Sequence, residues 1–151
     1  GDFTISLLDY KFTYYFENNL ALWIDFIQDD KLFTSGFITY YDDGKLMSER
    51  WTIMGKEWTD ISWFKNGQKE NETVWSYSPE YPKGISLQKG WYESGNQMFE
   101  YKVDHDNNFQ GMMTSWHDNG YKQSEYFFKN GEPTDYEKVW DENGKLIISS
   151  E

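Results

Sequence analysis

The chain contains no cysteine, which excludes disulfides, thiolate metal sites and cysteine nucleophiles and leaves the redox compartment open. No stretch approaches the roughly 18 apolar residues of a membrane-spanning helix. No secretory leader pattern is present, although the chain opens on Gly1 and so leaves room for an upstream segment removed by processing. A cytoplasmic location is the expectation. Positive charge is also scarce: 14 Lys plus Arg, of which only Arg50 is arginine, face 26 Asp plus Glu, for a formal charge of -12. A protein that grips phosphates needs a basic field, so nucleic acid is not an expected partner. An anionic membrane surface would repel the chain for the same reason. Long-range attraction selects a basic partner instead.

What the chain has in abundance is aromatic surface. Trp, Tyr and Phe make up 21% of residues while the whole hydrophobic fraction is 38%, so most of the surface available for burial is aromatic. These residues favour strands and tolerate half-burial with one edge wet. At 151 residues the length suits a single domain.

A repeat of about 25 residues organises that domain. The segments that open at Tyr40, Trp63, Trp91, Trp116 and Trp140 share one frame, anchored by Gly44, Gly67, Gly95, Gly120 and Gly144 at spacings of 23, 28, 25 and 24. The opening aromatic stands four residues before each glycine. Asp43, Asn66, Ser94, Asn119 or Asn143 stands immediately before it, and Glu49, Glu72, Glu100 or Glu125 five residues after it, with Ser149 in the last copy. Clear copies span residues 36–151. In residues 1–35 Tyr15 and Asn19 fit the aromatic and glycine columns and mark a degenerate sixth copy.

Asp-Gly and Asn-Gly pairs flanked by apolar residues signal β-hairpins, because type I′ turns need positive φ at both central residues. A two-residue loop at the pair would set Tyr40 opposite Met47, Trp63 opposite Glu70, Trp91 opposite Met98, Trp116 opposite Gln123 and Trp140 opposite Ile147. Period-2 alternation then places the Glu column on the same face as the aromatic column. Further turns are expected at Gly55, near Gly84, at Gly111 and at Asn130-Gly131. Tyr77–Gly84, with two prolines, is the longest connection. No window shows helical periodicity; a short helix, if one forms, belongs in Gly1–Tyr10. The expected fold is all-β, an antiparallel meander of stacked hairpins over residues 1–151, with Trp63, Trp91 and Trp116 largely buried between neighbours.

The frame Tyr-Tyr-x-x-Gly-Lys-Leu-x-Ser-Glu, taken from Tyr40 to Glu49 and recurring in five copies, resembles the MORN repeat variant of bacterial proteins. The resemblance implies hairpins stacked edge to edge in a long twisted meander. It also implies a role: such bacterial chains are often immunity or antitoxin proteins encoded beside a toxin. The lipid-related roles of the tidier eukaryotic unit do not carry over, and the acidic charge opposes them independently.

Nothing points to catalysis. His105 and His117 have no partner at catalytic spacing, and with so many carboxylates the separation of any one pair diagnoses nothing. Asp104-His-Asp106-Asn-Asn108 resembles the start of a calcium loop, but Phe109 and Ser115 stand where Gly and Glu are required, so a polar turn is the better account. No metal or cofactor is expected, and the chain reads as a binding protein rather than an enzyme. The expected partner is a cognate toxin or another basic protein, met by Glu49, Glu72, Glu93, Glu100, Asp118 and Glu125. Two other readings compete. A cell-wall or carbohydrate module would use exposed rings such as those of Gly90-Trp-Tyr92 and Tyr40–Gly44, and a structural scaffold would need no single ligand.

Overall fold

The computed structural model describes residues 3–7, 10–17, 21–28, 31–53 and 57–150, and the side chains of 24–27, 34–53 and 58–150. Among these residues there is no helix. Thirteen strands follow one another: β1 (Phe3–Leu7), β2 (Tyr10–Glu17), β3 (Ala21–Gln28), β4 (Lys31–Tyr40), β5 (Leu46–Ile53), β6 (Glu57–Trp63) and β7 (Lys69–Ser76). They continue with β8 (Ile85–Trp91), β9 (Gln97–Asp104), β10 (Gly111–Trp116), β11 (Lys122–Lys129), β12 (Glu132–Trp140) and β13 (Leu146–Ser150). Every strand pairs antiparallel with its sequence neighbours in a single sheet ordered β1 to β13, as the hairpin repeat requires. The N-terminal helix is not there: Phe3–Leu7 pairs with Tyr10–Tyr14 as a strand, where Phe, Thr and Ile favour extended backbone. Asn19 and Gly55 lie outside the described residues.

The hairpin tips differ from the expected type I′ turns. At the first clear tip the Gly44 amide donates to the Tyr41 carbonyl and the Tyr41 amide to the Lys45 carbonyl, both at 2.8 Å, and the same pair of bonds recurs at all five tips. The five tip glycines have φ from +77° to +94° while the residues before them do not enter the positive region. This is a three-residue loop, a type I turn closed by a left-handed glycine. The side chain before the glycine explains the choice. Asp43, Asn66, Ser94 and Asn119 each accept a hydrogen bond from the backbone amide two residues on, an Asx-type cap that holds the capping residue at negative φ. Among the described residues Asn130-Gly131 forms the two-residue loop, with φ of 53° and 86° and Lys129 opposite Glu132.

The longer loop moves the aromatic column's partners by one. Tyr40 faces Leu46, Trp63 faces Lys69, Trp91 faces Gln97, Trp116 faces Lys122 and Trp140 faces Leu146. A one-residue bulge follows each pair, and from Thr39 opposite Ser48 and Ser62 opposite Asn71 onward the register is the expected one. The bulge cancels the slip that would otherwise turn every later side chain to the wrong face.

A single sheet has no second layer to bury against. The accessible surface is 10007 Å², against about 8,100 Å² for a compact chain of this mass. Among the described residues Val103 is the one buried hydrophobic side chain, with Ser86 and Gln110 the buried polar ones. Trp63, Trp91 and Trp116 are of intermediate exposure, covered by neighbours without being fully enclosed. Packing runs along the faces instead. On the face opposite the tip tryptophans, Trp58 stacks on Trp75 at 6.1 Å, and Phe99, Tyr101, Phe109 and Phe128 form a chain of rings 5.1–5.4 Å apart. Gly90 permits one of these contacts: a Cβ there would lie 2.4 Å from the Phe99 ring, so the ring lies flat on backbone and shields it.

Candidate functional site

The Glu column forms one continuous rung across the sheet. Strand pairing runs from Glu49 through Ile61, Glu72, Lys89, Glu100, Thr114 and Glu125 to Lys138. Successive glutamates are therefore two strands apart, roughly 10 Å, and the intervening positions dilute their charge. Lysines dilute it further. Glu72 is 3.3 Å from Lys69, Glu100 is 3.1 Å from Lys89, and Glu125 pairs with Lys122. Two of these lysines also lie over a tryptophan of the next copy, Lys69 at 5.1 Å from the Trp91 centroid and Lys122 at 5.8 Å from Trp140. The Glu and aromatic columns do share a face, as alternation requires. Together they are a zipper of ring, cation and carboxylate, half-buried at Glu49, Glu72, Glu100 and Glu125.

The other two predicted acidic residues, Glu93 and Asp118, are exposed at tips. With Asp42, Asp43 and Glu142 they form an acidic ridge along the loops, and hydrogen bonds from tip to tip fix its spacing. Asn66 donates its amide to the Glu93 carbonyl at 2.8 Å and Asn119 to the Glu142 carbonyl at 2.6 Å. Asn96 donates to the Asp118 carbonyl at 2.5 Å, and the Ser94 hydroxyl bonds the Asp118 carboxylate. The structure thus separates the six predicted residues into four within the zipper and two on the ridge.

One column was missed in the sequence reading. The residue after three of the five aromatic openers reaches the next copy: Tyr41 donates to the Trp63 carbonyl at 2.7 Å and Tyr92 to the Trp116 carbonyl at 2.9 Å. The His117 ring bonds the Trp140 carbonyl at 3.1 Å, with Nε2–H as donor. His117 is thereby a strut between copies. The recurrence of polar-tipped rings beside the tryptophans was visible in the alignment; their target in the next copy was not.

At the opposite end of the strands the connections are knitted together. Asp104 to Asn108 makes the same three-residue turn, with Asn107 in the glycine place at φ 64°. The Asp104 carboxylate accepts the amides of Asp106 and Asn108 at 2.9 and 3.0 Å and the Gln110 side chain at 2.8 Å. This is the polar turn expected, and Asp104 is its keystone. Burial pushes its pKa up, but the hydrogen bonds from Asn108, Gln110 and Asp106 outweigh that and hold it below the usual carboxylate value. Buried Gln110 also accepts the Asn130 amide at 3.2 Å.

Over this corner stands the Tyr77–Gly84 connection, whose Glu80 and Tyr81 border three adjoining hollows. The larger two, about 500 and 330 Å³, reach Phe127 and Met112 over a floor of Gln110 and Gly111. The third, about 230 Å³, is ringed by Glu80, Lys83, Asp104 and Asp106. Tyr81 is held by its own loop, its amide on the Ser78 hydroxyl at 3.1 Å and its carbonyl accepting the Gly84 amide at 3.0 Å. Its phenol is pushed above the ordinary value by burial and then by the charges of Glu80 and Asp104. Irregular loop residues carry no periodic signal, so the sequence reading had no means of finding this cleft.

Comparison with known proteins gives no matching family and no matching curated relative. Among the described residues no helix is long and apolar enough to cross a membrane.

Proposed function

We propose that this chain is a protein-binding immunity or antitoxin protein, acting in the cytoplasm, that neutralises a cognate toxin by laying an acidic surface over a basic cleft. The observation that carries this reading is the ridge of exposed acids Asp42, Asp43, Glu93, Asp118 and Glu142, whose loops are tied to one another by the Lys45 ammonium at the first tip and by side-chain amides at the later ones. A pre-ordered row of acids, interrupted by Lys45 and Lys65 near its first tips, loses little freedom on docking. The formal charge of -12 supplies long-range attraction to a basic partner. The resemblance of the repeat to the MORN variant of bacterial proteins supports the same class of function, with no catalytic step assigned to the chain.

The ridge, rather than the Glu column, is the preferred docking surface. Glu72, Glu100 and Glu125 already have lysine partners, and reversing them would disturb the sheet. Sugar stacking is less favoured, since Lys69 and Lys122 lie over the rings of Trp91 and Trp140.

The test is co-expression with the toxin encoded beside this chain, scored for rescued growth and co-purification, followed by stopped-flow association at low and high salt. The on-rate should fall as salt shortens the Debye length to about 8 Å at 0.15 M. Glu93→Lys with Asp118→Lys should slow it further. A salt-independent rate would remove the electrostatic mechanism, and failure of growth rescue together with co-purification would remove the function.

A further inference from the structure

The acidic ridge explains attraction but offers no apolar anchor, and stable protein interfaces concentrate their energy in a few anchored side chains. The cleft beneath Tyr81 supplies one. Met112 and Phe127 face each other across β10 and β11 and are 41% and 40% exposed. Tyr81 and Glu80 overhang them, and the combined hollows fall in the size range of side-chain and small-ligand sites. On the other side of Tyr81 the carboxylates of Glu80, Asp104 and Asp106 outnumber the single amine of Lys83. An apolar wall, an aromatic ring and an acidic flank therefore meet at one loop.

We propose that this cleft receives an arginine with an adjacent apolar or aromatic residue from an exposed loop of the protein partner. The guanidinium would lie on the Tyr81 ring with Glu80 as its carboxylate, and the neighbouring side chain would rest on Met112 and Phe127. Charge complementarity selects the occupant at the ring, where Glu80, Asp104 and Asp106 stand against Lys83, while Lys102 and Lys129 border the hollows on the apolar side. Arginine suits the site better than lysine, since a planar guanidinium can stack on a ring while forking to a carboxylate. The proposal rests on the protein-binding reading and names the place where that partner would be anchored.

The test uses the intact chain and a blocked tetrapeptide, acetyl-Gly-Arg-Phe-Gly-amide, as probe. The chain has five methionines, so methyl-labelled methionine gives a small set of NMR signals in which Met112 reports the cleft. The expected result is a saturable shift at Met112, at least about fivefold weaker for the Glu-Phe analogue of the peptide and for Glu80→Gln, and lost in Phe127→Ser. Should Phe127→Ser fail to fold, the wild-type titration and Glu80→Gln decide alone. A silent Met112, equal response to both peptides, or a uniform drift of all methionine signals would overturn the proposal. The peptide titration reads the cleft without the toxin, so the two ideas fail separately. Growth rescue with a silent Met112 sinks the cleft, whereas a selective Met112 response without rescue sinks the immunity role.

Discussion

Asn119 uses both ends of its side-chain amide: its oxygen accepts the Tyr121 amide of its own turn at 3.1 Å, and its nitrogen donates to the Glu142 carbonyl of the next tip at 2.6 Å. Asn119→Asp separates the two roles, because aspartate keeps the acceptor and sets a negative oxygen against the carbonyl. Loss of one hydrogen bond with repulsion in its place should cost about 1–2 kcal/mol. Thermal unfolding of Asn119→Asp beside Asn119→Ser, which imitates Ser94, would check it. The aspartate variant should be the less stable.

Gly120 tests the left-handed tip. With φ at +87°, Gly120→Val forces a β-branched residue into the left-handed region and should destabilise by about 1–3 kcal/mol. A chemical denaturation midpoint equal to that of the wild type would refute a left-handed residue at this tip.

These tips show how far the sequence could be read. Gly44, Gly67, Gly95, Gly120 and Gly144 placed five turns correctly, because a hairpin tip needs a residue free to adopt positive φ. The residue before each glycine was misjudged, since an Asn suits a type I′ turn and an Asx cap equally well and the two loops differ by one residue. The slip reached only the aromatic pair, for the bulge beyond it restores register. Trp63, Trp91 and Trp116 are covered without being fully enclosed, since alternation identifies a face but not whether a second layer covers it. The structure divides the six acids into a column and tips; Lys69 and Lys122 stand three residues before their glutamates in the same copy, whereas Lys89 reaches Glu100 only through strand pairing. Tyr81, Met112 and Phe127 converge only through the fold.

Asp104 should make stability depend on acidity. Its folded pKa lies below the unfolded value, so its contribution is present above the unfolded pKa of about 3.9 and is lost as pH falls through the folded one. Asp104→Asn removes that titration. The melting-temperature gap between wild type and variant should be largest near neutral pH and shrink steadily below about pH 4. A gap that widens on acidification would contradict the assigned hydrogen bonds.

Trp116→Ala should cost about 2 kcal/mol, less than the roughly 3–5 kcal/mol of a fully buried ring. Because Trp116 leans only on adjacent strands, hydrogen exchange should quicken in β10, β11 and β12 and remain near wild type in β4 and β5. Uniform acceleration through the sheet would show that the chain opens as one unit.

The strict order β1 to β13 has a mechanical consequence. The first and last strands lie at opposite edges, so a force drawing the chain ends apart pulls across the strands rather than along them. Hydrogen bonds loaded in that direction are taken one ladder at a time instead of in parallel shear. The sheet should therefore peel from its ends under modest tension, one hairpin after another, and re-form by short-range zipping as soon as the tension is released.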